Sequence, residues 1–136
     1  MDQIIEKINT NWNKNSKADK QSISTVESSL NFRFPDDYKA FLYWSNGGEG
    51  YVGRNYVSLW RIEDSITLNH EYQIQKYLTQ NFFAFGTDGG GICYGFVIND
   101  GFAVSKCPFG DLDINEVLKI APSFSDFIEK AFIEEY

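Results

Sequence analysis

The residues able to do chemistry in this chain are few. Cys93 and Cys107 are its two thiols and His70 is its one imidazole. A nucleophilic site of the Cys–His or Ser–His–Asp type would have to use His70. That residue sits between Asn69 and Glu71 on a polar stretch, with no Gly-x-Ser-x-Gly elbow and neither cysteine in a nucleophile motif. It reads as a surface residue. Asn99-Asp100-Gly101 is a strong hairpin signal. If it joins two strands, Ile98 faces Phe102, and counting outward Cys93 faces Cys107. Opposed thiols can approach disulfide distance; in a reducing compartment the pair reads as two small buried side chains.

Metal chemistry needs clustered imidazoles, thiolates or carboxylates. The cysteines stand fourteen residues apart, and Asp111, Asp113 and Glu116 lack the glycine and ligand ladder of a calcium loop. Gly86-Thr87-Asp88-Gly89-Gly90-Gly91 lacks the Gly-Lys-Ser/Thr ending of a phosphate loop and reads as a turn between strands. The expectation is no catalytic residue, no metal and no cofactor. What remains is a binding surface: Tyr51, Tyr56 and Trp60 are of the types enriched as interface anchors, and Glu49, Glu63 and Asp64 flank them in sequence.

Composition narrows the partner. The net charge is −7, and Lys7, Lys14, Lys17 and Lys20 are interleaved with Asp2, Glu6 and Asp19 as a solvated face. A nucleic-acid binder needs a basic face, so nucleic acid is not expected. Acid concentrates toward the C-terminus, where Asp111, Asp113, Glu116, Asp126, Glu129, Glu134 and Glu135 stand against Lys119 and Lys130. Such a surface favours solubility and a basic partner. No apolar run reaches membrane-spanning length and no signal-peptide core is visible, so the chain reads as cytoplasmic with no membrane partner. Its 136 residues read as one domain over 1–136, with a core rich in its 12 Phe, 8 Tyr and 3 Trp.

The elements that must position these residues follow from periodicity. Ile4, Ile5, Ile8 and Trp12 predict a first amphipathic helix. Asn13 to Lys20 is a polar connector, and Ser22 or Ser24 can cap a second helix carrying Ile23, Val26 and Leu30. In the third, Pro35 suits the first position, Asp36 and Asp37 complement the helix dipole, and Tyr38, Phe41, Leu42 and Ser45 form the buried stripe before Asn46-Gly47-Gly48 ends it. Gly47 to Gly53 reads as a glycine-rich loop or hairpin entry, and Tyr56 to Trp60 as a strand. A helix capped by Asp64 or Ser65 is expected to run to about Leu78. Strands follow at Phe82 to Phe85, Ile92 to Ile98 and Phe102 to Cys107. Asp113-x-x-Glu116 and Ser123-x-x-Asp126 resemble capping boxes, the first ahead of Ile114, Val117 and Leu118, the second ahead of a stripe of Phe124, Phe127, Ile128, Ala131 and Phe132. Helices, then strands, then a closing helix predict an α+β fold with a mostly antiparallel sheet.

Taken in order, these landmarks resemble a family signature. Glu27 in Val26-Glu27-Ser28-Ser29-Leu30, the Phe34-Pro35-Asp36-Asp37-Tyr38 run ending in Asn46-Gly47-Gly48, Trp60 ahead of an acidic helix start, Phe83-Ala84-Phe85-Gly86-Thr87-Asp88 with its glycine turn, and Ala121-Pro122-Ser123-Phe124-Ser125-Asp126-Phe127-Ile128 are similar to the Smi1/Knr4 (SUKH) superfamily over residues 22–132. Phe34 and Ile128 stand where that pattern more often has Leu, and both keep a large apolar side chain. The resemblance implies a Smi1/Knr4-like α+β fold. It also implies a non-catalytic immunity protein that binds and neutralises a cognate bacterial toxin of a polymorphic or contact-dependent system, such as a nuclease. In that setting Asp88 and its glycine turn help shape a partner-facing surface, and the aromatic anchors with their acidic rim are the candidate contacts. A regulatory or scaffolding module, as in eukaryotic members, and a small-molecule binder are the alternatives.

Overall fold

The computed structural model describes residues 1–136. Seven strands form one antiparallel sheet in sequence order: β1 (Trp12–Asn13), β2 (Gly48–Val52), β3 (Asn55–Leu59), β4 (Phe82–Thr87), β5 (Ile92–Val97), β6 (Ala103–Pro108) and β7 (Leu118–Ala121). Six helices accompany it: α1 (Asp2–Ile8), α2 (Lys20–Leu30), α3 (Asp36–Trp44), α4 (Ile62–Glu71), α5 (Ile74–Leu78) and α6 (Phe124–Ala131). The architecture is α+β, as the element order predicts. No helix is long and apolar enough to cross a membrane.

The sheet buries its two faces unequally. On one face α1, α2, α3 and α6 close the main core over Val52, Val57, Phe83, Phe85, Tyr94, Phe96 and Val104. Phe85 is its centre, with ring centroids 4.7 Å from Phe96, 5.7 Å from Phe124, 5.8 Å from Phe127 and 5.9 Å from Tyr38. Edge-on and tilted pairs of this kind bring each ring's positive edge to a neighbour's negative face, adding to what burial of the rings contributes. Asp37 ties two helices of this layer together, since its Oδ2 accepts from both the backbone N–H and the hydroxyl of Ser125, each at 2.9 Å. The opposite face carries a smaller cluster of Ile74, Leu78, Phe82, Ala84, Cys93 and Cys107 beneath α5.

Several boundaries differ from the sequence expectation, each for a local reason. Trp12 leaves the first helix and enters β1 opposite Gly50, where its indole packs edge-on against Phe41 at 5.8 Å. The cap of α2 is Asp19, which accepts from Ser22 N–H at 2.7 Å, rather than Ser22 or Ser24; that bond also holds the Asp19 carboxyl below its ordinary value. Pro35 precedes α3 as its N-cap. Of the two readings of Gly47 to Gly53, the hairpin entry holds: residues 48–52 form the first strand of a hairpin with β3. Gly48 and Gly50 belong to it because side chains there would run into the Trp12 indole and the Asn11 carbonyl, so β1 and its approach can lie close against β2. The long helix expected up to Leu78 begins earlier, at Ile62, and breaks at Gln73, whose φ of 57° separates α4 from α5. Asp113 caps only a single 3₁₀ turn, accepting from Asn115 N–H, after which Leu118 onward pairs with β6 as a strand instead of a helix. Ser123 caps α6 as its sequence predicts.

One junction governs the sheet's middle. β3 pairs with β4 only at Ser58↔Thr87 and Leu59↔Gly86, followed by one further bond from Trp60 N–H to the Phe85 carbonyl. Beyond that point β4 needs other partners. Asn69 supplies them: its Oδ1 accepts from Ala84 N–H and its Nδ2 donates to the Ala84 carbonyl, both at 2.9 Å. Gln75 Nε2 donates to the Phe82 carbonyl at 2.9 Å. Two amide side chains thus take the place of a missing strand beside the irregular register at Ala84/Gly86. Substituting Asn69 by Ala strands both Ala84 backbone groups in a buried position. The expected loss is about 2–4 kcal/mol, read as a lower urea midpoint with an unchanged m-value; a loss under about 0.5 kcal/mol would contradict the role given to Asn69.

Candidate functional site

Strand alternation decides what the open face displays. In β2, Gly48, Gly50 and Val52 are buried and Glu49 and Tyr51 are exposed; in β3, Asn55, Val57 and Leu59 are buried while Tyr56 and Ser58 are partly exposed. The register sets Tyr51 opposite Tyr56 and Glu49 opposite Ser58. The two tyrosine rings meet edge-on at 5.2 Å, and Ser58 Oγ lies 3.5 Å from Glu49 Oε2. Partial burial, reinforced by the Glu49 carboxylate and by Tyr51, holds the Tyr56 phenol above its ordinary value.

The same alternation carries Trp60 to this face, where it packs against the smaller cluster. From there the surface continues as a stack. The Trp60 ring lies 6.0 Å from Tyr72 with planes 4° apart, and Tyr72 lies 4.4 Å from Phe109. Tyr72 is 43% exposed and Tyr51 is 59% exposed. Two groups of partly open aromatic rings therefore stand on the sheet face that the main helix layer leaves uncovered: the Tyr51–Tyr56 pair, with Glu49 beside it, and the Trp60–Tyr72–Phe109 stack.

Of the sequence-chosen residues, Glu49, Tyr51 and Tyr56 come together here, and Trp60 lies on the same face in a separate stack. Asp88 sits nearby in the β4–β5 turn, whose Gly89 (φ 82°) lies against the Tyr56 ring so closely that a Cβ would fall 2.7 Å from it. The Asp88 carboxylate is committed to the turn, its Oδ1 accepting from Gly90 N–H at 2.8 Å and Ile92 N–H at 3.1 Å. Its role in this structure is to shape the loop beside the Tyr51–Tyr56 pair. Glu63 and Asp64 stand apart at the start of α4. Both Glu63 oxygens accept from Asn46 Nδ2 at 2.9 Å, while Asn46 Oδ1 accepts from Ile62 N–H. Glu63 thus braces the turn that launches α4, and Asp64 is exposed. Tyr72 and Phe109 were not among the sequence candidates. Each lies in a stretch without periodic signal, and only the fold stacks them on Trp60.

The thiols lie on this side of the sheet as well. Cys93 and Cys107 are paired across β5 and β6, both buried and both free. Burial pushes the Cys93 thiol far up, with Cys107 adding to it. Burial also raises Cys107, helped by the carboxylates of Asp111, Glu116 and Asp113 and opposed by a contact to the Asp113 backbone. Thiols held protonated are poor nucleophiles at neutral pH. His70 is exposed at the end of α4.

Those shifts have a consequence for stability. A thiol or phenol whose pKa is raised in the folded state keeps its proton when the unfolded chain has lost it. Folding is therefore favoured most below the unfolded values, and stability falls as pH rises past them. Cys93 starts from 9.0; Tyr94 starts from 10.0 and is pushed up to about 12, chiefly by burial. The urea midpoint is expected to hold from pH 6 to 8 and to fall steadily above about pH 9. In the same range native protein should resist iodoacetamide at both cysteines, and the unfolded chain should react at both. Rapid alkylation of the native protein would show that the pair is not sealed.

The family model described as SMI1 / KNR4 family (SUKH-1) matches residues 17–130. No curated protein matches the chain.

Proposed function

The chain belongs to the SMI1/KNR4 family (SUKH-1), a family known for immunity proteins, and from that premise we propose that it is a non-catalytic binding protein that neutralises a cognate bacterial toxin. The observation that carries this reading is the set of exposed aromatic rings on the open sheet face, the Tyr51–Tyr56 pair and the Trp60–Tyr72–Phe109 stack. Tyrosine and tryptophan give large contact area at little entropic cost, and their polar tips tolerate exposure before the partner arrives. The rings already pack against neighbouring rings, edge-on in the Tyr51–Tyr56 pair and stacked in the Trp60–Tyr72–Phe109 group, so little ordering is left to offset on binding. Glu49 beside the tyrosine pair and the net charge of −7 favour a basic partner surface, as around a nuclease groove, by speeding encounter more than by tightening the final complex. The toxin is then inhibited by occlusion of its active site or of a neighbouring surface.

The test pairs this protein with the toxin-like enzyme encoded beside its gene. Co-expression should protect cells, and the purified pair should form a stoichiometric complex in which the enzyme is inactive. Tyr51→Ala and Tyr72→Ala remove exposed rings and leave the core intact; each is expected to weaken binding by about 2 kcal/mol, roughly thirtyfold, through faster dissociation. Glu49→Lys should instead slow association, with a difference that shrinks as salt is added. Cells that remain fully sensitive to the neighbouring toxin would end this reading. Full affinity in both tyrosine variants would move the interface elsewhere.

A further inference from the structure

The helix layer carries a second concavity, on the other side of the molecule from the exposed aromatic rings. It encloses about 590 Å³ between α2 and the start of α3. Along α2 the lining residues recur at helical spacing, Lys20, Ser24, Glu27, Ser28 and Asn31, and Arg33 and Lys39 close the opposite wall over a floor of Ile23 and Phe32. The groove follows the full eleven residues of the helix, a length of about 16 Å.

Its charge is opposite to that of the chain as a whole. The one carboxylate present, Glu27, is already committed: Oε2 accepts from Phe34 N–H at 2.7 Å and lies 3.5 Å from Lys39 Nζ. Lys20, at one end, and Arg33, on the wall facing α2, have no carboxylate within the 4 Å of an ion pair; the chain's pairs lie elsewhere, apart from Lys39 with Glu27. Between them the hydroxyls of Ser24 and Ser28 and the Asn31 amide make no hydrogen bond within the protein; the α2 side chains that do are Asp19 to Ser22 N–H, Gln21 to Thr25, and Glu27. Two free cations on facing sides of a groove about 16 Å long, joined by a line of unpartnered donors, suit an elongated ligand that brings several oxygen acceptors. A compact anion would touch only part of that length. A nucleic-acid strand needs a denser run of cations than two to offset its phosphates in a chain of net charge −7.

We propose that the α2–α3 groove binds an acidic peptide segment of a protein partner, its Asp and Glu carboxylates seated on Lys20 and Arg33 and its backbone carbonyls accepting from Ser24, Ser28 and Asn31. The guanidinium of Arg33 offers a carboxylate two parallel donors, and the ammonium of Lys20 a point charge. The chain then has two faces of opposite preference: an aromatic and acidic sheet face, and a cationic groove on the helix layer.

A fluorescein-labelled peptide of Asp-Glu-Ser repeats is the probe, read by anisotropy at low ionic strength and by amide chemical shifts. Binding is expected to saturate, to perturb residues of α2, Arg33 and Lys39, and to weaken as salt is added. Both free cations are exposed, so Lys20→Glu with Arg33→Glu should leave circular dichroism unchanged and lower affinity by about tenfold or more. Lys76→Glu, on α5 outside the groove, should leave it as it was. Absence of saturable binding, shifts centred outside the groove, an equal loss in Lys76→Glu, equal binding of the Asn-Gln-Ser analogue, or preference for a single-stranded oligonucleotide over the peptide would each overturn the proposal. The toxin plays no part in this experiment, so its outcome is separate from that of the immunity reading.

Discussion

The sheet depends on what happens where β3 stops. A strand that ends beside a longer neighbour leaves buried backbone groups without partners, and such groups cost too much to leave bare. Here Asn69 bonds both the N–H and the carbonyl of Ala84, and Gln75 bonds the carbonyl of Phe82. Both side chains come from the α4–α5 segment, which must therefore cross beside β4 at a fixed height. Asn46 fixes the other end of that crossing through Ile62 N–H and Glu63. With the segment pinned at both ends, Tyr72 is brought over Trp60, and the open face acquires its stacked rings.

The chain uses its aromatic residues in two physically different ways. Phe34, Tyr38, Phe85, Phe96, Phe124 and Phe127 meet at steep or tilted angles in a dry core, where their area drives folding. Burial pushes the Tyr38 phenol well above its ordinary range. Tyr51, Tyr56, Trp60 and Tyr72 keep part of their surface in water and pair as Tyr51 with Tyr56 and Trp60 with Tyr72. The first set fills the core on one face of the sheet; the second stands on the other face. Between the sets, the strands act as a partition whose alternation sends successive side chains to opposite uses.

Charge is divided along the same line. Carboxylates inside the fold's joints are consumed there: Asp37 on Ser125, Glu27 on Phe34 and Lys39, Glu63 on Asn46, and Asp88 in its own turn. The acidity seen in composition is therefore not all available to a partner. Others, such as Asp64, Glu71 and Glu129, stay exposed without a partner, as do the cations Lys20 and Arg33 of the groove. A count of charges cannot separate a structural carboxylate from a solvent-facing one, because the two differ only in what lies within hydrogen-bonding reach.

Much of the fold was legible in the residues. The stripes of α3 and α6, the Ser123 cap, the Asn99-Asp100-Gly101 turn and the Cys93↔Cys107 register all rest on contacts within a few residues or on a period that one turn fixes. Family membership, too, was legible from landmarks in order. The errors lie where a long-range partner outweighed local preference. Trp12 abandons its helix for a place beside Gly50, and Leu118 follows β6 rather than the capping pattern before it. At the candidate site, sequence named Glu49, Tyr51, Tyr56 and Trp60 by residue type alone. Their shared face, the diversion of Glu63 and Asp88 to structural duty, and the addition of Tyr72 and Phe109 were decided by tertiary structure. The physical reason is that local periodicity specifies which side of an element a residue occupies, whereas only the packing of elements against one another specifies what that side meets.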